Sequence, residues 1–144
     1  MKLQKGESYS KKHGPDAAPD LSIKNEILKR AKGDEVPCAT AFDIAKALRI
    51  SPKGVGRTAD LMNFKLTKCQ LGLFGYQPQK KIVKPQDSIQ ENLKNAISQS
   101  LSQGKLSCKH AWEIAFRYNI RKMAVSSACE TMGIKIKDCQ LGAF

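Results

Sequence analysis

Hydrophobic residues recur along the chain with the spacing of amphipathic helices, interrupted by short segments of a different pattern. In residues 41–48 they fall at i, i+3, i+4 and i+7, which predicts a helix with one buried face. Shorter stripes of similar spacing predict helices before and after it, at 23–31 and 52–62. From Phe64 the period changes to two, which indicates a strand. The predicted order is helix, short extended piece, helix, tight turn, helix and strand.

The same order recurs in the second half, because the chain contains an internal duplication. Residues 27–74 align with residues 97–144 without a gap, and 14 of the 48 pairs are identical. The identities are concentrated at apolar positions, such as Ile44 with Ile114. Both copies also end in the motif Cys-Gln-Leu-Gly-x-Phe, to which we assign no mechanism. The sequence therefore predicts two modules with one fold.

The predicted boundaries follow changes in composition along the chain. Residues 1–20 are polar and contain Gly, Pro and Lys, which predicts a disordered basic tail. The two modules are assigned to residues 21–76 and 88–144. Residues 77–87 contain two prolines and are assigned to a linker. The expected fold class is mainly α with short β-strands.

Two helices have residues typical of a helix start. Ser51 followed by Pro52 predicts an N-cap with Pro at the first helical position. Ser88, with Glu91 three residues later, has the form of a capping box. Both patterns place a side-chain oxygen where it can accept a hydrogen bond from a free backbone N–H.

The stretch from Phe42 to Arg57 resembles the helix-turn-helix of bacterial winged-helix transcription regulators. It has Ile-Ala-x-x-Leu in one helix, then Ile-Ser-x-x-x-Val-x-Arg through the turn and into the next helix. The second copy matches less closely, with Arg121 and Ser127 in place of the Ser and the Arg. The resemblance implies two winged helix-turn-helix modules. A wing also needs a returning strand, for which residues 74–76 are a candidate, whereas the second copy ends at Phe144 and leaves little room for one.

The charge balance predicts a polyanionic partner. Lys and Arg number 25 against 13 for Asp and Glu, which gives a net charge of +12. With the resemblance, this favours double-stranded DNA, and transcriptional regulation, through the third helix of each module. The candidate DNA-binding residues lie on or just before those helices: Ser51, Lys53, Arg57, Thr58, Arg121, Lys122, Ser126 and Ser127.

Within the third helix of the first module, each residue type fits a different contact. The guanidinium of Arg57 suits a bidentate contact to guanine, and the ammonium of Lys53 suits a phosphate. Gly54 and Gly56 each weaken a helix by about 1 kcal/mol relative to Ala. We expect them to let the backbone pass close to DNA.

Two other functions fit the same composition. Winged-helix folds also serve as protein-assembly adaptors, and the second module is the candidate for a protein partner because it diverges more. Structured RNA is a further possible ligand. A continuous basic face would favour nucleic acid, and an apolar patch would favour a protein. Phe42 and Trp112 occupy equivalent positions, and we expect core anchors there rather than base-stacking platforms.

The five cysteines show no Cys-x-x-Cys spacing, and their odd number argues against a fully paired disulfide framework. Four of them are matched between the copies: Cys38, Cys69, Cys108 and Cys139. Buried structural thiols are the expected state, with a redox-sensitive pair or a metal site as alternatives.

Enzymatic activity and a cofactor are not expected. The sequence has no paired-carboxylate site, no phosphate-binding loop and no dinucleotide fingerprint. No apolar stretch approaches the roughly 20 residues of a membrane span, and residues 1–19 lack the apolar run of a signal peptide. We therefore expect a cytoplasmic protein that does not bind membranes.

Overall fold

The structure is a computed structural model, and it describes residues 18–144. The predicted class, mainly α with short strands, is confirmed in these residues. The first half contains α1 (Leu21–Arg30), β1 (Glu35–Pro37), α2 (Cys38–Leu48), α3 (Pro52–Leu61) and β2 (Lys65–Thr67). The second half contains α4 (Glu91–Gln99), β3 (Leu106–Ser107), α5 (Cys108–Arg117), α6 (Lys122–Met132) and β4 (Ile136–Lys137). Most of the predicted tail, residues 1–17, lies outside the described residues.

Many equivalent apolar residues of the two copies are buried in both. The largest of these occupy matching positions on the helices and on the strand that precedes the second helix of each copy. Each is at most 1% exposed: Ile27, Val36, Ile44 and Val55 in the first copy, and Ile97, Leu106, Ile114 and Val125 in the second. The apolar stripes read from the sequence therefore form the cores, because burying them removes the most apolar surface from water.

The turn between the second and third helix has the same geometry in both copies. Its first residue is left-handed, with φ 56° at Arg49 and φ 52° at Asn119. The next N–H then bonds back to the helix, from Ile50 to the Ala45 carbonyl and equivalently in the second copy, each at 3.0 Å. This turn places the third helix against the second.

The strands pair in a way that differs from a wing. β2 lies parallel to β1, and β4 lies parallel to β3. Each copy turns away immediately after its strand, at residues with φ 50° (Lys68) and φ 53° (Asp138). Residues 74–76 do not return beside β2, and Tyr76 instead forms an antiparallel bridge with Lys80. The returning strand considered for the first copy is therefore wrong.

The compact units of the chain do not coincide with the predicted modules, residues 21–76 and 88–144. One unit contains residues up to Cys69 together with Gln140–Phe144, and the other contains Gln70–Cys139. We call these the first unit and the second unit. Each unit thus includes the Gln-Leu-Gly-x-Phe residues that belong, by sequence, to the other copy.

In the first unit, these residues pack against α3. Leu141 is 1% exposed. A Cβ at Gly56 would overlap the carbonyl oxygen of Leu141 and lie 2.7 Å from its carbonyl carbon. The absence of a side chain at Gly56 therefore lets the segment that contains Leu141 pack against α3. The sequence alone had suggested a close approach of DNA at this glycine.

In the second unit, the equivalent residues hold the predicted linker. Leu71 is fully buried. The carbonyl of Gly72, a residue with φ 75°, accepts hydrogen bonds from the N–H groups of Ile82 (2.9 Å) and Val83 (3.1 Å). Val83 is 7% exposed. Residues 77–87 are therefore an integral part of the second unit, and the prediction of a separate linker is wrong.

One of the two predicted helix starts is confirmed. Ser51 caps α3 and accepts a hydrogen bond from the Gly54 N–H at 3.3 Å, with Pro52 at the first helical position. The capping box at Ser88 is wrong, because α4 begins only at Glu91 and its N-cap is Gln90. Ser88 therefore lies too far ahead of the helix to accept its first free N–H.

Candidate nucleic-acid interface

The start of α3 presents three of the four predicted residues of the first copy. Ser51, Lys53 and Arg57 are exposed, and the first turn of α3 contains no acidic residue. Thr58 is only 2% exposed. Its prediction as a DNA contact is wrong, because the face of α3 that carries it packs inside the first unit.

The middle of α6 is covered by the chain that precedes α4. Ser127 Oγ donates a short hydrogen bond to the carbonyl of Lys84. The Oγ1 of Thr131 donates to the carbonyl of Gln86 at 2.8 Å and accepts from its N–H at the same distance. The Gln86 side-chain amide also donates to the Ala124 carbonyl at 2.8 Å. This polar face of α6 is occupied by the protein itself.

The predicted contact of Ser126 is wrong, because the residue is enclosed, whereas that of the half-buried Ser127 stays a prediction. Ser126 is 1% exposed, and its Oγ has no hydrogen-bond partner among residues 18–144. Ser127 is engaged with Lys84. Helical periodicity placed both side chains on the helix, but it could not show that Ser126 is enclosed or that Lys84 and Gln86 lie across the face that carries Ser127.

The start of α6 remains accessible and is basic. Arg121 is the N-cap and is exposed, and Lys122 is half-buried. The Lys122 Nζ lies 4.5 Å from the centroid of the Trp112 ring, within cation–π distance. The first turn of α6 contains no acidic residue. This end of the helix therefore favours an anion.

Beside this helix start lies a cavity of about 390 Å³. It is lined by Trp112, Ala115, Phe116, Asn119, Ile120, Arg121 and Lys122. Phe116 is 90% exposed, and Trp112 is half-buried, so Trp112 is less enclosed than the core anchor expected there. Phe116 was not among the functional residues expected from the sequence. Its position four residues after Trp112, outside the buried stripe of α5, was the pattern that could have revealed it.

The matched cysteines do not form a ligand cluster. Cys38, Cys69 and Cys108 are buried, Cys139 is half-buried, and no disulfide joins any cysteine. No group of three or more metal-ligating side chains occurs between residues 18 and 144. The unmatched Cys129 is 1% exposed, and burial, followed by the nearby Glu130 carboxylate, raises its thiol pKa to about 11.

The raised pKa predicts slow alkylation of Cys129. The thiolate is the reactive form, and with a pKa of about 11 only about one thiol in a thousand is ionised near pH 8. We expect iodoacetamide to label Cys139 in the native protein and Cys129 only after unfolding in urea, as measured by mass spectrometry of peptides. Equal labelling rates for the two cysteines in the native protein would contradict the burial of Cys129.

Within the described part of the chain, none of the helices has the length and apolar character needed to cross a membrane. Basic residues outnumber acidic ones in both units. No known protein family, curated protein or solved structure matches the chain.

Proposed function

We propose that the protein binds double-stranded DNA through the basic starts of α3 and α6. One observation carries this proposal: the accessible side chains Lys53 and Arg57 lie within the first two turns of α3, and Arg121 and Lys122 lie at the start of the equivalent helix α6. Neither helix has an acidic residue in its first turn. The free N–H groups and the dipole of a helix start favour anions, and the cations reinforce this preference.

The proposed mechanism is docking of helix starts on the phosphate backbone. The net charge of +12 attracts DNA, and binding releases the counterions condensed on it. Residues 52–62 can approach the groove only by the face that carries Lys53 and Arg57, since Leu141 packs at Gly56. Residues 122–132 would contact DNA only at their start, since Lys84 and Gln86 cover the middle of α6. Arg57 is the residue best placed for a guanine contact.

We further infer that each copy is a relative of the winged helix-turn-helix regulators that lacks the wing. The tight turn between the second and third helix and the Ser51 cap support this inference. The parallel strand pairs show where the copies depart from that fold.

Fluorescence anisotropy with a blunt, labelled DNA duplex tests the proposal at roughly 50 and 200 mM salt. We expect a dissociation constant on the order of 1–100 μM that rises steeply with salt. The double variants Lys53→Ala/Arg57→Ala and Arg121→Ala/Lys122→Ala each remove two cations. Each should weaken binding and reduce the salt slope by about 2.

The matched control is Lys29→Ala/Lys32→Ala, which removes two exposed cations, one in the last turn of α1 and one just after the helix. It should bind DNA more tightly than either test variant. Equal weakening in all three variants would mean that only the overall charge matters. An absence of binding at the lower salt would overturn the proposal and favour the protein-adaptor function. Tighter binding to a duplex RNA of the same length would favour RNA.

A further inference from the structure

Among residues 18–144, Phe116 is the most exposed large hydrophobic residue, with 90% of its surface accessible to solvent. It lies one helical turn after Trp112 on α5, and Ile120, which is 36% exposed, follows in the turn to α6. Single exposed apolar residues are common on protein surfaces. Here two of them, Phe116 and Ile120, line one cavity together with the half-buried Trp112 and two cations, Arg121 and Lys122. Apolar rings beside cations at one accessible cavity indicate a ligand-binding site.

The first copy serves as an internal comparison, because the cavity is not a requirement of the fold. The buried alanines and the buried isoleucine of this region are the same in both copies, as in Ala45 with Ala115. The solvent-facing residues differ. Where the second copy has Trp112, Phe116, Arg121 and Lys122, the first has Phe42, Lys46, Ser51 and Pro52. The second copy therefore has a second aromatic ring, Phe116, and two adjacent cations, Arg121 and Lys122, where the first copy has Lys46, Ser51 and Pro52, so the shared fold does not require them.

A second cavity, of about 300 Å³, lies next to the first in the second unit. It is lined by Gln70, Tyr76, Arg121, Lys122 and Met123. The residues that the two cavities share are the two cations. The order along the surface is therefore an aromatic ring, a pair of cations and another aromatic ring.

This order matches the chemistry of a single nucleic-acid strand. Every base offers a flat face that stacks on an aromatic ring, and a phosphate follows every nucleotide. Neither cavity is lined by a carboxylate, so nothing in the lining repels a phosphate. A purely apolar partner would leave Arg121 desolvated without a counter-charge, which is costly.

We propose that the second unit binds two consecutive unpaired nucleotides of DNA or RNA. One base stacks on Phe116 in the larger cavity, the next base stacks on Tyr76, and the phosphate between them contacts Arg121 and Lys122. The inference rests on the proposed nucleic-acid function and adds a preference for strands with unpaired bases, such as duplexes with an overhang.

Trp112 is the only tryptophan of the chain, so its fluorescence reports directly on the larger cavity. Titration of the full chain with an unlabelled thymidine oligonucleotide should quench this fluorescence. A blunt duplex should quench it less, at equal occupancy measured by anisotropy. An absence of quenching at saturating oligonucleotide would overturn the proposal.

The decisive variant is Phe116→Lys, which installs the residue type found at the equivalent position of the first copy. It adds a positive charge, so simple electrostatic attraction would make binding tighter. Loss of stacking should instead weaken single-strand binding by at least about fivefold. The matched control Leu28→Lys makes the same kind of change at an exposed leucine of α1 (54% exposed), and it should bind as well as the unaltered protein or better.

The failure of this inference and the failure of the proposed function give different results. Weaker blunt-duplex binding in Lys53→Ala/Arg57→Ala tests the proposed function and does not involve Phe116. If Phe116→Lys binds the single strand as tightly as Leu28→Lys does, the stacking site is excluded even when duplex binding follows the proposal. Quenching of Trp112 by a poly-glutamate peptide, but not by the oligonucleotide, would assign the cavity to an acidic protein partner and overturn the inference.

Discussion

Replacement of Leu141 by Ala is expected to lower the free energy of unfolding by about 2–5 kcal/mol, the usual cost of truncating a fully buried leucine. Leu141 is 1% exposed and belongs to the first unit, although its sequence position lies at the end of the second copy. The substitution should therefore loosen α1, α2 and α3. If each copy folded by itself, the substitution would instead loosen α4, α5 and α6.

Amide hydrogen exchange, read helix by helix, distinguishes these outcomes because it reports local opening. Leu71→Ala is the matched control, since Leu71 is the equivalent residue of the first copy, is fully buried and belongs to the second unit. It should accelerate exchange in α4, α5 and α6. If each substitution instead accelerated hydrogen exchange in its own copy, the packing of each motif in the unit formed mainly by the other copy would be wrong.

Replacement of Gly56 by Ala is expected to destabilise the protein by about 1–3 kcal/mol, the usual cost of overpacking a core. The added methyl group would overlap the carbonyl oxygen of Leu141, and backbone atoms have little freedom to move aside. The first unit must therefore shift α3 or release the segment that contains Leu141.

Gly54→Ala is the control for this effect, because Gly54 lies on the same helix two residues earlier. A Cβ at Gly54 would have its nearest neighbour, Ser51 Oγ, at 3.7 Å, an ordinary contact. This variant should be neutral or more stable by up to about 1 kcal/mol, through the better helix propensity of Ala. Urea denaturation of both variants provides the measurement. Equal stabilities would show that the close approach at Gly56 is not needed for folding.

These two predictions give the repeated Cys-Gln-Leu-Gly-x-Phe motif a structural role. Its leucine fills the core of the unit formed mainly by the other copy, and its glycine adopts a positive φ of 75° at Gly72 and 82° at Gly142. Positive φ is strained for residues with a Cβ, which accounts for a glycine at this point of both copies. The motif therefore stabilises the scaffold on which the basic helix starts are presented.

The sequence by itself determined the secondary structure and the repeat. Local periodicity identified the helices, since side chains three or four positions apart share a face whatever surrounds them. The identities at a spacing of 70 residues, such as Ile44 with Ile114, placed equivalent core positions. The Ser51 cap and the basic residues at the start of α3 were predicted for the same local reason.

The tertiary structure alone decided which of those surfaces remain accessible. Residues distant in sequence cover Ser127 and approach Gly56, and the period of a single helix contains no information about such segments. Long-range contacts also decide that β1 pairs parallel with β2. They decide as well that each Gln-Leu-Gly-x-Phe segment packs in the unit formed mainly by the other copy. The cavity beside Phe116 likewise appeared only in the tertiary structure, because the space next to a side chain depends on the whole fold around it.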